Sequence, residues 1–115
     1  MANNKPYQNN KWTTVGTYKN IHKPPHLAGV YIIFIDDYSN DTRTIQYVGQ
    51  TADFYKRFSC HRTYFKIRDI ILGDYVKSIT VKVKPTDIKT RKELEKRLIQ
   101  KLKPPYNKFY NWGYL

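Results

Sequence analysis

Acidic residues are scarce in this sequence. Nine Asp and Glu stand against 21 Lys and Arg, a formal charge of +12 over 115 residues, and that balance favours an anionic partner, nucleic acid or a membrane surface. Cysteine is scarcer still: Cys60 is alone, which excludes an internal disulfide and a thiolate zinc cage and fits a reducing compartment. No apolar run approaches 18 residues and no charged-then-apolar leader opens the chain. Neither a transmembrane helix nor a signal peptide is expected, and the chain reads as soluble and cytoplasmic. Asp36, Asp37 and Asp41 all fall around one polar bend, so the few acids form no credible multi-carboxylate metal cluster.

The positive charge is spread along the whole chain. Residues 1–28 carry four lysines and no acid, Tyr55 to Arg68 carries five basic residues and no acid, and Lys77 to Lys103 has ten basic against three acidic. A membrane-binding reading needs one amphipathic helix with a broad apolar face, so nucleic acid is the expected partner and a membrane is not. Within the acid-free stretch, Lys56, Arg62, Lys66 and Arg68 are the candidate DNA contacts.

At this length one small domain is expected. Residues 1–27, rich in Asn, Lys and Pro, read as a basic N-terminal arm or irregular entry segment, able to dock through Trp12 and Val15; residues 28–115 read as the domain itself. The pattern predicts strands at 29–36 and 43–50, helices at about 53–62 and 64–72, a strand at 78–84, a helix at 90–103 and an aromatic tail. That order is α+β.

The stretch "GVYIIFIDDYSNDTRTIQYVGQT" (Gly29 to Thr51) reads as a hairpin with one tyrosine beside one glycine on each strand. If Tyr31 pairs directly with Tyr47, then Ile33 faces Ile45, "DYSND" forms a five-residue loop, and the two phenols share one sheet face with Cβ atoms about 5 Å apart. The pair is either simple aromatic packing or a converging pair of phenols. On the last helix, Thr90 and Glu93 fit a capping box. Measured from Leu94, the positions Leu98, Leu102 and Ile99 fall at about 40°, 80° and 140°, and Glu95 at about 100°. Glu95 therefore lies inside the apolar arc, where a carboxylate must be paired in a buried salt bridge, protonated or bound to a metal. In the helix after Thr51, Phe54, Phe58 and Phe65 form a stripe that includes His61, with Arg57 one turn before it. His61 is either a satisfied core histidine or functional, and Arg57 either a solvated charge or functional.

Taken in order, "GVY", "YVGQT", "RFSCH" and "ELEKRLIQKLKPPYN" resemble the GIY-YIG nuclease family, with GVY in place of GIY and YVG in place of YIG. The resemblance implies a small three-stranded antiparallel sheet flanked by helices. It also implies roles: Tyr31 in activating the attacking water, Tyr47 in holding phosphate, Arg57 on the scissile phosphate and Glu95 on a divalent metal. His61 resembles the histidine of restriction-enzyme members, and Asn107 the asparagine that closes the site. One Mg²⁺ or Mn²⁺ per site is implied, in a DNA endonuclease of compact, restriction-like or phage and mobile-element type; a structure-selective repair nuclease and a non-catalytic binding module are the alternatives. No second DNA-binding domain is recognisable in the sequence, so specificity would come from the arm, the hairpin loop, a homodimer or a specificity-conferring partner. A phenol with a reference pKa near 10 is a poor base at neutral pH, and an acceptor such as His61 or a metal-linked water would assist Tyr31.

Overall fold

The computed structural model describes residues 7–17 and 24–107. The aromatic tail and the rest of the N-terminal arm lie outside the described residues. Four antiparallel strands form one sheet in the order β1-β4-β2-β3: β1 (Thr13–Thr17), β2 (Gly29–Asp37), β3 (Thr42–Thr51) and β4 (Lys77–Pro85). Helices α1 (Phe54–Ser59) and α2 (Arg62–Ile70) separate β3 from β4, and α3 (Ile88–Leu102) leads into a short 3-10 turn, Pro105–Asn107.

The architecture is the α+β domain expected, with one strand more than the three foreseen. Within the segment read as an irregular arm, residues 13–17 form β1, paired along β4 with a bulge between Thr14 and Gly16. Val15, 3% exposed, docks in the core as expected. Weak alternation in "TTVGT", broken by the bulge, hides the strand from a period-two reading.

Alternation along the strands divides the apolar residues between two faces. Tyr31, Ile33, Ile79, Val81 and Val83 pack with Phe54 of α1 and Tyr64 and Ile67 of α2. Val30, Ile32 and Val48 pack on the other face with Ile99, Leu94 and Leu98 of α3. Leu102, placed in the same apolar arc by its spacing, is exposed at the last turn.

The hairpin register differs from the direct Tyr31–Tyr47 pairing. Tyr31 lies opposite Gly49 and Ile33 opposite Tyr47, and a bulge at Gln46 then sets Phe34 against Ile45. The loop shortens to the four residues between Asp37 and Thr42, closed by Asp37 accepting from Ser39 and by Asp41 at φ 54°. Both tyrosines keep the same face, now as a diagonal pair with ring centroids 6.1 Å apart.

Helix starts and stops follow local chemistry. Asp53 caps α1 by accepting from the Lys56 N–H, and Asp87 caps α3 by accepting from the Thr90 N–H at 2.7 Å, three residues before the Thr90 cap that the Thr90/Glu93 box suggested. The helix expected to run to residue 62 ends at Ser59, and His61 caps a new helix. At the end of α3, Lys103 turns left-handed at φ 45° and the two prolines stop the helix.

That exit swings Asn107 onto β3. Its Oδ1 accepts from the Val48 N–H at 2.8 Å and its Nδ2 donates to the Val48 carbonyl at 2.9 Å. The side-chain amide thus stands in for a neighbouring strand on the outer edge of the sheet, where buried backbone groups would otherwise go unpaired. Asn107→Ala is expected to destabilise the fold by about 2–4 kcal/mol, the cost of two orphaned buried groups; urea unfolding checks it, and a change under about 0.5 kcal/mol would contradict the clamp.

Candidate active site

The site forms where β2 and β3 pass beneath α1 and the start of α2. Tyr31 is 1% exposed, its ring laid across Gly49, where any Cβ would sit inside the phenol. Gly29 has the same relation to Phe54, whose ring tip, with the Lys84 carbonyl, fills the space a side chain would need. The glycine of each triplet is therefore the floor under an aromatic ring. Phe58 packs edge-on against Tyr31 at 4.9 Å and stacks on His61 at 5.3 Å.

His61 is buried, and its Nε2 lies 2.7 Å from the Tyr31 Oη. The tautomer follows from the other ring nitrogen: as the cap of α2, Nδ1 accepts the Tyr64 N–H at 3.1 Å, so it carries no proton. A neutral ring then bears its hydrogen on Nε2 and donates it to Tyr31. Burial first, and the neighbouring Arg57 second, push the His61 pKa down to about 3, so the ring stays neutral at physiological pH. The expectation that His61 could accept the Tyr31 proton is corrected by this arrangement, because neither nitrogen is a vacant acceptor.

Arg57 lies against both phenols, interacting with the Tyr31 and the Tyr47 oxygens. Tyr47 completes the cluster with its ring edge-on to His61 at 5.3 Å. Burial raises the Tyr31 pKa, with Tyr47 adding to the rise and Arg57 opposing it, so the resting side chain is a neutral phenol. Its oxygen already receives the histidine hydrogen and faces a guanidinium, two donors that would hold a phenolate if one formed.

Glu95 approaches from the other side of the sheet, over the outer edge of β3. It is half-buried with the Gln50 backbone N–H nearby, which moderates the effect of burial on its carboxyl, while Arg91, one turn earlier on α3, donates to the Gln50 side-chain carbonyl at 2.8 Å. Burial raises the Glu95 pKa, and it belongs to none of the four ion pairs among the described residues. The salt-bridge account of its position is thereby unsupported. A half-buried carboxylate without a counter-cation suits one divalent ion that keeps most of its water ligands. No group of three or more His, Cys, Asp or Glu gathers among the described residues, and Asp36 is tied to Arg43 and Thr80.

Tyr31, Tyr47, Arg57 and His61 are thus brought together, and Glu95 lies close enough to affect Tyr31. Asn107 does not enter the cluster and instead braces the strand that carries Tyr47 and Gly49. Lys56, Arg62 and Lys66 are exposed and Arg68 partly so; Arg68 lies over the Phe65 ring and beside Asp69. The Arg91–Gln50 bond escaped the sequence reading, although Arg91 at four residues before Glu95 shares its side of the helix.

A model of the GIY-YIG catalytic domain matches residues 27–109. The chain belongs to the GIY-YIG nuclease family. No curated protein and no solved structure matches it. Both triplets, the helix arginine and the α3 glutamate of this GIY-YIG domain fall within the matched span.

Histidine burial makes the domain acid-sensitive in a defined window. With the folded His61 pKa near 3 and an unfolded value near 6.5, the unfolded state binds more protons between those pH values, so stability falls as pH is lowered through them. Asn at position 61 can still cap α2 but cannot titrate. Melting curves from pH 7 to 4.5 should therefore fall more steeply for the native protein than for His61→Asn; parallel curves would contradict a neutral, buried histidine.

Proposed function

We propose that this GIY-YIG domain is a divalent-metal-dependent DNA endonuclease whose own basic surface takes part in DNA binding. The reading is carried by the convergence of Arg57 and two phenols on one spot, with Glu95 near enough to act on the Tyr31 charge and in none of the ion pairs among the described residues. The exposed bases Lys56, Arg62 and Lys66, which flank Arg57 and His61 in the chain, support a phosphate-tracking surface.

Phosphodiester hydrolysis needs the phosphate held, the attacking water deprotonated, and the charge growing on phosphate countered. Arg57 supplies a planar donor fork for phosphate oxygens, and Tyr47 a hydroxyl beside it. For Tyr31 to take the water proton its own phenol proton must first pass to solvent, and the His61 Nε2–H and Arg57 are the donors that hold the resulting phenolate. His61 acts as a fixed donor in this scheme and moves no proton. A Mg²⁺ or Mn²⁺ ion, when bound at Glu95, supplies Lewis acidity and stabilisation of the leaving alkoxide.

Glu95→Ala is expected to lower Mg²⁺-dependent plasmid nicking by at least about 10³-fold while duplex affinity stays within a few-fold, since the change removes negative charge from a basic surface. A variant that still nicks would overturn the metal assignment, and a native protein that binds but never cuts would leave a binding module. Arg57→Lys keeps the charge but loses the fork, so single-turnover rates should drop by about 10²-fold or more. Near-native turnover in that variant would return Arg57 to an ordinary surface cation.

A further inference from the structure

Helix α3 packs chiefly on β3 and β2, and among the described residues no helix packs chiefly on the β4–β1 half of that sheet face, where Lys82 and Lys84 are partly exposed. Lys82 and Lys84 project from β4 on this side, since the intervening Val83 belongs to the opposite core. Thr14 lies opposite Lys82, so the β1–β4 register sets Trp12 beside Lys84, whose Nζ stands 5.7 Å from the indole centroid. Lys82 stands 5.9 Å over the Phe34 ring, and Arg43 covers the same ring at 5.3 Å. Beside Lys84 runs a groove of about 480 Å³ between β4 and α3, lined by Lys84, Lys89, Thr90, Glu93, Leu94 and Arg97.

The charges on this face are unbalanced. Asp36 is taken by Arg43 and Thr80, and Glu93 is the one acid among the described residues that line the groove. Lys82, Lys84, Lys89 and Arg97 belong to none of the ion pairs among the described residues. An uncovered sheet face is ordinarily polar with both signs interspersed; here it is a run of cations with two aromatic rings beneath them. Tyr31, Tyr47 and the α1–α2 bases lie on the other side of the sheet, so a straight duplex seated on Arg57 does not reach Lys82.

We propose that this open half-face binds the phosphate backbone of a second DNA segment, separate from the one presented to Tyr31 and Arg57. The proposal rests on the reading of DNA as substrate. Two segments then lie on opposite faces of one sheet, as in two duplexes held together or two arms of one bent or branched molecule.

The test measures binding of the full chain to a 20-base-pair duplex in EDTA across a salt series, for native protein, Lys82→Gln/Lys84→Gln and Lys82→Arg/Lys84→Arg. Losing two phosphate contacts should make the slope of log K against log salt shallower by about 1.8, and the Arg pair should keep the native slope. Capture of a second labelled duplex by protein held on an immobilised one should fall at least five-fold in the Gln pair. Single-turnover nicking at saturating DNA should stay within two-fold of native. An unchanged slope with undiminished capture overturns the proposal, as does equal loss in the Gln and Arg pairs, which would mark a packing defect around Trp12. A native protein that never nicks, but whose slope responds to the Gln pair, retains this surface and loses the nuclease reading instead.

Discussion

The hydrogen bond from the His61 Nε2–H to the Tyr31 oxygen constrains more of this molecule than any other contact. For it to form, the imidazole must be neutral and held in one tautomer, and the Tyr64 N–H on Nδ1 holds it there. That in turn requires a helix to begin at residue 62, and so a break in the chain at Cys60 between α1 and α2. The phenol must also lie flat over β3, which only a glycine at position 49 permits. Phe54 and Phe58 close the walls. Several separate features of the sequence, from the second triplet to "RFSCH", thus serve the placement of one oxygen atom.

The outer edge of β3 is the second organising element. An exposed strand edge invites pairing with other chains, and here its backbone groups are taken by side chains arriving from α3 and the turn after it. Asn107 satisfies both groups of Val48, and Glu95 lies near the Gln50 backbone N–H two residues further on. Glu95 belongs to none of the ion pairs among the described residues, in a protein with an excess of cations. The same edge carries Tyr47 and Gly49, so sealing it and arranging the phenols are one structural task.

Much of this was legible in the sequence where a physical period or a strong local signal existed. The two inner strands, the α3 arc that aims Glu95 inward, and the shared face of Tyr31 and Tyr47 all follow from periods of 2 and 3.6. Register did not, because a bulge at Gln46 moves every pair beyond it by one residue and leaves no mark in composition. The strand at Thr13–Thr17 was missed because five residues with a bulge show too little alternation. His61 was read as part of a helical stripe because spacing alone does not distinguish a continued helix from a break followed by a cap. Its actual place matters chemically, since a cap commits Nδ1 and decides which way the Tyr31 bond runs.

The electrostatics of the cluster are consistent with that direction. A protonated His61 would set a second full charge beside Arg57 in a buried pocket, and both burial and Arg57 act against it. Kept neutral, the imidazole still presents a donor, which stabilises negative charge on the phenol oxygen without adding net charge of its own. Tyr31 is nonetheless held in its phenol form by burial, so the resting site avoids an unneeded buried anion. Ionisation becomes favourable only to the extent that fixed donors outweigh desolvation, and those donors are already in place before substrate arrives. Such preorganisation lets a residue with an unfavourable reference pKa serve as a base, because little reorientation accompanies the loss of its proton. The aromatic walls, the cap on α2 and the glycine floor all hold those two donors at the oxygen.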